Sequence, residues 1–281
     1  MKTSETQKRD YLGIIEATLD EVLPRADERP AELSEGMRYA VGTGGKRIRP
    51  LICLASSVAV GGAAEDARYP AAAIELLHNY TLVHDDLPAM DNDVERRGKP
   101  TVWKKFGEAN AILVGDALQA LAFAVAAKAP RNVAEIVAAL GASGVGVVQG
   151  QVEDVRGNDR IVECSNDRMS AGECSNGRMP DVAFVYEHKT ADLFMAAAAM
   201  GGYAGGGSAD DVAALRRFAL NLGLAFQYED DLLDGDSPFP REKTEALVRE
   251  TTAAAIAALA ALPGDTSFLK VLAERLVGRT V

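Results

Sequence analysis

The sequence predicts an all-α fold from two observations. Apolar residues recur at three- and four-residue spacing in segment after segment, and no sustained alternation of apolar and polar residues indicates a strand. Ser4 begins the first predicted helix, with Gln7 at the reciprocal capping-box position, and Pro24 closes it. Further helices are predicted at roughly 31–41, 50–60, 70–86, 107–128, 131–149, 182–203, 209–234, 241–261 and 265–278. Because no Pro/Ser-rich linker separates them, residues 1–281 are predicted to form a single domain.

Composition and charge exclude several classes of function. The 281 residues are 48% hydrophobic and 25% charged, which is ordinary for a globular protein with a sizeable core. The formal net charge of -11 would repel nucleic acid, so no nucleic-acid partner is predicted. No signal-peptide core and no uncharged run of about eighteen apolar residues occurs, so no membrane span is predicted. Three cysteines without a dense framework favour a reducing, cytoplasmic location.

A polar insertion is predicted around residues 155–181, where residues 163–169 are nearly repeated as 173–179. Each copy contains one cysteine, Cys164 or Cys174. Two thiolates could bind a soft metal, but no histidine lies nearby and two sulfurs do not complete a tetrahedral zinc site. A surface loop lengthened by local duplication is therefore the favoured interpretation.

The strongest local motif is an acidic cluster that follows an apolar helix. It contains Asp85, Asp86 and Asp91, and Pro88 interrupts the helix, which favours a cleft over an exposed helix face. Carboxylates held this close repel one another unless a cation intervenes. Mg²⁺ fits this chemistry, because it commonly shares its shell among carboxylates, water and substrate phosphates.

A second acidic cluster ends another long apolar helix. Asp230 and Asp234 are four residues apart, on one face of a helix and about 6 Å apart along its axis. Either cluster alone could be a solvated helix face. Two of them, each at the end of an apolar helix, favour a site that binds diphosphate esters through divalent ions.

Two basic segments could hold the diphosphate oxygens that metal ions do not reach. Residues 44–50 include Lys46 and Arg49, and the pair Arg96 and Arg97 follows the first acidic cluster. Taken singly, each segment could be only a basic helix start or a loop. The two glycines before Lys46 lack the full spacing of a nucleotide P-loop, so an NTPase is disfavoured.

Together these motifs resemble the trans-isoprenyl diphosphate synthases, and among them the short-chain bacterial farnesyl diphosphate synthases. The likeness covers about residues 35–235. It rests on six motifs in the family's order, namely the 44–50 segment, the four residues between Asp86 and Asp91, Arg96-Arg97, Gly150-Gln151-x-x-Asp154, Lys189-Thr190, and residues 223–227 leading into Asp230-Asp231-x-x-Asp234.

The resemblance implies a helical bundle with a deep central cavity and both acidic motifs at its mouth. It assigns Mg²⁺, as three ions, to Asp85, Asp91 and Asp230, with Asp86 and Asp234 in support. It assigns isopentenyl diphosphate to Lys46, Arg49, His78 and Arg97, and the allylic diphosphate to Arg96. It places Lys189, Thr190 and Gln227 against the reacting cation and its diphosphate. Without the resemblance, His78 would be interpreted as a core histidine.

The reaction that the resemblance implies is ionisation of an allylic diphosphate followed by attack of isopentenyl diphosphate, in a homodimeric enzyme. Tyr80, five residues before Asp85, and its neighbour Thr81 are the predicted floor of the cavity. This favours farnesyl diphosphate, with geranylgeranyl or geranyl diphosphate as alternatives. The loop after Asp234 is shorter than the family's, and Lys243 is the candidate substitute for its lysine.

Two rival classes share parts of this pattern. A terpene cyclase shares the helical fold and an acidic motif, but it uses one substrate and needs no cations for a second diphosphate. A non-catalytic subunit of a prenyl synthase typically lacks acidic motifs, whereas both are intact here.

Overall fold

A computed structural model describes residues 4–166, 181–235 and 237–277, apart from the side chains of residues 156–166 and 277. The all-α prediction is confirmed. The helices are α1 Ser4–Val22, α2 Ala31–Gly42, α3 Ile48–Ala59, α4 Arg68–Asp85, α5 Val102–Phe106, α6 Glu108–Ala126, α7 Val133–Asn166, α8 Val182–Val185, α9 Asp192–Gly205, α10 Ala209–Asp234, α11 Arg241–Ala258 and α12 Ser267–Val277. Short 3₁₀ turns cover Ala64–Ala67 and Leu259–Ala261.

Helix α4 occupies the centre of the bundle. Every residue from Pro70 to Leu77 is buried, so this helix has no solvent-facing side over two turns. It packs against α1, α3, α6 and α9, while α10 packs between α9 and α11. Helix α4 therefore runs from the middle of the core to its surface, and the first acidic motif lies at its C-terminal end.

A two-stranded hairpin follows the first acidic motif, where the sequence predicted only a loop. Strands β1 (Glu95–Arg96) and β2 (Lys99–Pro100) pair antiparallel through a two-residue turn. Both turn residues, Arg97 and Gly98, have positive φ, of 56° and 74°. Two-residue hairpin turns require this backbone conformation, so the hairpin fixes the backbone positions of Arg96 and Arg97.

Two predicted helices differ from those in the structure. Helix α7 runs to Asn166 instead of ending near residue 149, because Val152 and Val155 continue the apolar spacing past the predicted break at Gly150. The helix predicted at 182–203 is interrupted by a π-helical turn, Tyr186–Ala191, which we call the wide turn. Such turns insert an extra residue into a helix and occur often at functional sites.

The cysteine repeat lies outside the described residues, except for the backbone of residues 163–166. By length and composition alone, Glu108–Ala126 and Val133–Val155 could each cross a membrane, which the sequence had not suggested. This is weak evidence, because core helices of soluble proteins often pass the same test.

Candidate active site

Asp85 lies in the last turn of α4 and is partly buried. The loop that follows returns to it, because the backbone N–H of Asp91 donates to the carbonyl oxygen of Asp85 at 2.9 Å. Burial is the main reason that the pKa of Asp85 is raised to about 6; the charge of Lys189 opposes the shift and that of Asp91 adds to it. The first acidic motif is therefore a compact group that a bound cation would stabilise.

Asp86 forms an ion pair with Arg96 through one of its two carboxylate oxygens. The guanidinium Nη2 of Arg96 lies 2.6 Å from Oδ1 of Asp86, and its Nε donates to the same oxygen at 2.7 Å. Burial raises the pKa of Asp86, and the arginine opposes that shift. This ion pair fastens the hairpin to the end of α4 and holds Arg96 beside the acidic motif.

The wide turn connects the surroundings of the two acidic motifs. Nζ of Lys189 is 2.5 Å from Oδ2 of Asp154 on α7, and the lysine charge also acts on Asp85 of α4. The hydroxyl of Thr190 donates to Oε1 of Gln227 on α10 at 2.9 Å. Three helices thus meet at these two neighbouring residues.

The buried carboxylate of the second acidic motif belongs to Asp231, which sequence reasoning did not select. Asp231 accepts hydrogen bonds from the hydroxyl of Tyr186 and, at 3.0 Å, from Nε2 of Gln227. Asp230 is partly exposed, and Asp234 is exposed at the end of α10. The four-residue spacing in the sequence pointed to Asp230 and Asp234, which are the more solvent-accessible residues. The one sequence signal for Asp231 was its position next to Asp230.

Arg49 and His78 form a largely buried pair. Nη1 of Arg49 lies 3.1 Å from Nε2 of His78, and the guanidinium is 5.1 Å from the ring centroid of Phe194. Burial lowers the pKa of Arg49 to about 10, and burial with the nearby arginine charges lowers the pKa of His78 well below its usual value. The neutral ring therefore accepts from Arg49 at Nε2 and carries its proton on Nδ1. Neither Nδ1 of His78 nor Nε of Arg49 has a hydrogen-bond partner among the described residues.

The side chain of Arg97 extends from the hairpin to Gly44 and Gly45. Its Nη1 donates to the carbonyl oxygen of Gly44, and a Cβ on Gly45 would lie 2.9 Å from its Cζ. Burial is the largest influence on the pKa of Arg97, which is lowered. Lys46 is exposed and lines a different cleft, of about 270 Å³, beside α1 and α12.

A cavity of about 500 Å³ opens beside Asp85. Tyr80, Thr81 and His84 of α4 line one side, and Ile112 of α6 lies on its wall. Apolar residues of α7 complete it, namely Val147, Val148, Val152 and Val155, together with Leu87 and Met90 of the loop. Tyr80 and Thr81 thus line an apolar cavity that adjoins the first acidic motif, and their role as its floor stays a prediction.

A sequence profile of the polyprenyl synthetase family matches residues 30–259 of this chain. The matched segment contains both acidic motifs, the two basic segments and the wide turn. The chain belongs to the polyprenyl synthetase family.

Individual relatives agree with this assignment. The heterodimeric geranylgeranyl pyrophosphate synthase large subunit 1 of Arabidopsis thaliana is 38% identical over 252 residues, which cover 83% of this chain and 64% of the relative. The geranylgeranyl pyrophosphate synthase of Capsicum annuum is 41% identical over 214 residues, covering 74% and 54%. The chain therefore spans about three fifths of the length of these curated relatives. The crystal structure of an FPP/GFPP synthase from Zymomonas mobilis superposes with a TM-score of 0.83 at 33% identity, covering 98% of each chain.

In this polyprenyl synthetase, Arg47 anchors the basic segment, although sequence reasoning named only its neighbours Lys46 and Arg49. Arg47 is 6% exposed and lies 2.8 Å from Glu16 and 2.7 Å from Glu75. Its ion pair with the buried Glu75 fixes the basic segment to α4, three residues before His78. A lone glutamate within the apolar run of α4 was the available signal for a buried cation.

Lys243 of the polyprenyl synthetase lies on α11, the helix that follows the second acidic motif. It is exposed on α11, and its Nζ lies 4.2 Å above the ring centroid of Phe239. The prediction that it replaces a loop lysine stays a prediction.

The donor set of this polyprenyl synthetase fits Mg²⁺. Among the described residues no three acidic, histidine or cysteine side chains form a ready-made metal group. Mg²⁺ does not need one, because it is usually bound through one or two carboxylates, with water and substrate phosphates completing its shell. Burial raises the pKa of Asp85 and the charge of Asp91 adds to that rise, so a cation at this carboxylate would offset an unfavourable negative charge.

Proposed function

We propose that this polyprenyl synthetase is a Mg²⁺-dependent prenyltransferase that condenses an allylic diphosphate with isopentenyl diphosphate. The allylic carbon–oxygen bond breaks, a carbon–carbon bond to isopentenyl diphosphate forms, and pyrophosphate and one proton are released. One observation carries the proposal: a cavity of about 500 Å³ is apolar along α6 and α7 and adjoins Asp85 at its charged end. This polarity matches a substrate with a diphosphate head and a hydrocarbon tail.

Each group at the charged end has a role in the proposed reaction. Asp85, Asp91 and Asp230 would hold Mg²⁺, with Asp234 in support, and bound Mg²⁺ would draw charge from the leaving diphosphate. The number of three ions stays a prediction. Lys189, held by Asp154, adds a fixed positive charge beside Asp85.

Arg49, Arg97 and His78 bind the diphosphate of the second substrate, isopentenyl diphosphate. Two guanidinium groups supply charge, and the neutral His78 supplies the N–H of Nδ1, which is otherwise unpaired among the described residues. Thr190 and Gln227 place side-chain oxygens at the meeting point of α7 and α10, where a developing carbocation would be stabilised. The apolar walls exclude water, which would otherwise capture that cation.

Incubation with dimethylallyl diphosphate, isopentenyl diphosphate and Mg²⁺ tests the proposal. We expect linear prenyl diphosphates by chromatography, no product after EDTA treatment, and recovery when Mg²⁺ is added back. Cyclic hydrocarbons from farnesyl diphosphate would support a terpene cyclase instead. Inactivity that only a second prenyl synthase chain relieves would support a non-catalytic subunit.

We propose geranylgeranyl diphosphate as the main product, instead of the farnesyl diphosphate that was favoured from the sequence. The support comes from the names of the Arabidopsis and Capsicum relatives, which are geranylgeranyl pyrophosphate synthases. The position of Tyr80 is compatible with a longer chain, because its ring packs edge-on against His84 at the cavity wall, with centroids 5.0 Å apart. The same chromatography identifies the product.

We also propose that two copies associate through α6 and α7. Ile112 and Leu113 of α6 are 45% and 55% exposed, and Val145, Val148 and Val152 of α7 are exposed at i, i+3 and i+7. An apolar face of this kind on a large chain marks a protein interface, and an identical partner can cover it through two-fold symmetry. It also explains why these two helices are apolar enough to resemble membrane spans.

A charged substitution on this face tests the homodimer. Leu113 and Val145 do not line the cavity, so the variant Leu113→Glu with Val145→Glu should leave the cavity intact. Like charges facing each other across the two-fold axis should weaken dimerisation at least about tenfold in sedimentation equilibrium. Ala254→Glu, at an exposed position of α11, is the matched control and should not change the mass. A monomeric wild-type protein would contradict the proposal.

A further inference from the structure

A notch in α6 receives the ring of His84. Gly115 is buried there, and a Cβ on this residue would overlap the imidazole, with Cε1 only 2.9 Å away and Nε2 and Cδ2 nearer still. Nε2 of His84 lies 3.0 Å from the carbonyl oxygen of Ile112, one turn before Gly115. Because a carbonyl oxygen only accepts, this ring nitrogen is the donor. The imidazole therefore rests directly on the backbone of α6.

Tyr80 depends on the same arrangement. Its ring packs edge-on against the imidazole of His84, one turn further along α4, at a centroid distance of 5.0 Å and an interplanar angle of 75°. Burial raises the pKa of Tyr80, and the side chain of Gln119, one turn beyond Gly115 on α6, opposes that rise from beside the hydroxyl. Both rings also line the apolar cavity. The two aromatic side chains are thus held back against α6 on one side and face the cavity on the other.

We propose that Gly115 determines product chain length by letting the His84 and Tyr80 rings recede into α6, so that the cavity keeps the depth that a longer prenyl chain needs. The inference rests on the proposed prenyltransferase activity. A side chain at position 115 fills the notch and pushes the imidazole away from α6, toward the cavity. The Tyr80 ring packs against the edge of this imidazole, so it shifts with the imidazole. Gly115 and His84 are then specificity-determining residues that touch neither diphosphate.

Gly115→Ala tests the inference through the product distribution. We expect the ratio of the longest product to the next shorter one to fall by about tenfold, because overpacking at a well-packed site costs enough to shift a partition ratio by this amount. The double variant Gly115→Ala with His84→Ala removes the displaced ring and should restore the longer product. The measurement is chromatography of the products at equal total incorporation of isopentenyl diphosphate.

Gly141→Ala is the matched control, because it is also a helical glycine next to α6. A Cβ there would meet Cε1 of Phe123 at an ordinary 3.6 Å, so its product ratio should equal that of the wild type. An unchanged ratio in Gly115→Ala would overturn the inference while leaving the prenyltransferase proposal intact. The absence of any prenyl product from the wild type would instead refute the proposed function. A shortened product in Gly115→Ala that His84→Ala does not restore would also overturn the role given to the imidazole.

Discussion

Replacing Asp85 by asparagine is expected to lower kcat by at least roughly a thousandfold, while the protein remains folded. Asp85 lines the cavity at the acidic motif, so its charge adjoins both the proposed Mg²⁺ and the hydrocarbon tail. Asparagine keeps the size of the side chain and removes the charge. The measurement is the rate of isopentenyl diphosphate incorporation at saturating substrates and Mg²⁺. Asp210→Asn, at an exposed position in the first turn of α10, is the control and should retain wild-type activity.

The same substitution has a second signature in the metal-free protein. The pKa of Asp85 is about 6 in the folded protein against an ordinary value of 3.8. Between these values the folded state binds more protons than the unfolded state, so this group makes stability fall as pH rises. Above pH 6 the ionised carboxylate destabilises the fold by roughly 3 kcal/mol.

Without Mg²⁺, Asp85→Asn should therefore have a higher Tm than the wild type at pH 7.5, and the difference should shrink toward pH 4. Mg²⁺ should raise the Tm of the wild type more than that of the variant, because only the wild type keeps the charged ligand. Equal Tm responses to Mg²⁺, or a variant that keeps wild-type kcat, would contradict the role given to Asp85.

The sequence was sufficient for features that depend on local periodicity and on short motifs. The apolar spacing located α4 and α10, and the acidic residues at the ends of these helices marked the site. Tyr80 lines the cavity five residues before Asp85, a separation along one helix that the helical rise fixes.

Features that depend on contacts between distant segments could not be obtained in this way. The partners of Arg47 lie 31 and 28 residues away in sequence, at Glu16 and Glu75. Asp231 is buried by Tyr186, which lies 45 residues before it on another element. The spacing of residues within one helix does not show which neighbouring helix packs against which face. The spacing therefore pointed to the exposed Asp234 and missed the buried Asp231.

The wide turn shows the same limit in the backbone. Residues 182–203 have continuous helical periodicity, and the interruption at Tyr186–Ala191 packs against glycines of α7. A Cβ on Gly150 would lie 2.5 Å from the backbone nitrogen of Lys189 and 3.0 Å from the carbonyl carbon of His188. The motif Gly150-Gln151-x-x-Asp154 is part of the resemblance to the family. Only this contact with the wide turn explains why a glycine is needed at position 150.

Gly150→Ala is accordingly expected to reduce kcat by roughly a hundredfold, because small displacements of reacting groups have effects of this size. The clash is with backbone atoms, which cannot rotate away as a side chain can, so α7 and the wide turn must separate. Separation pulls Lys189 from Asp154 and moves Thr190 from Gln227. The free energy of unfolding should also fall by about 1–3 kcal/mol, measured by denaturant titration.

Gly144→Ala, on the same helix, separates this effect from the general consequence of an alanine in α7. A Cβ there would meet Leu77 at 3.8 Å, an ordinary contact, so kcat should be unchanged and stability equal or higher by up to about 1 kcal/mol. A double-mutant cycle then locates the cause. If Gly150 acts by placing the wide turn, Gly150→Ala should cost far less kcat in a Lys189→Ala background than in the wild type. Full additivity of the two losses would show that the glycine affects catalysis by a route that does not pass through Lys189.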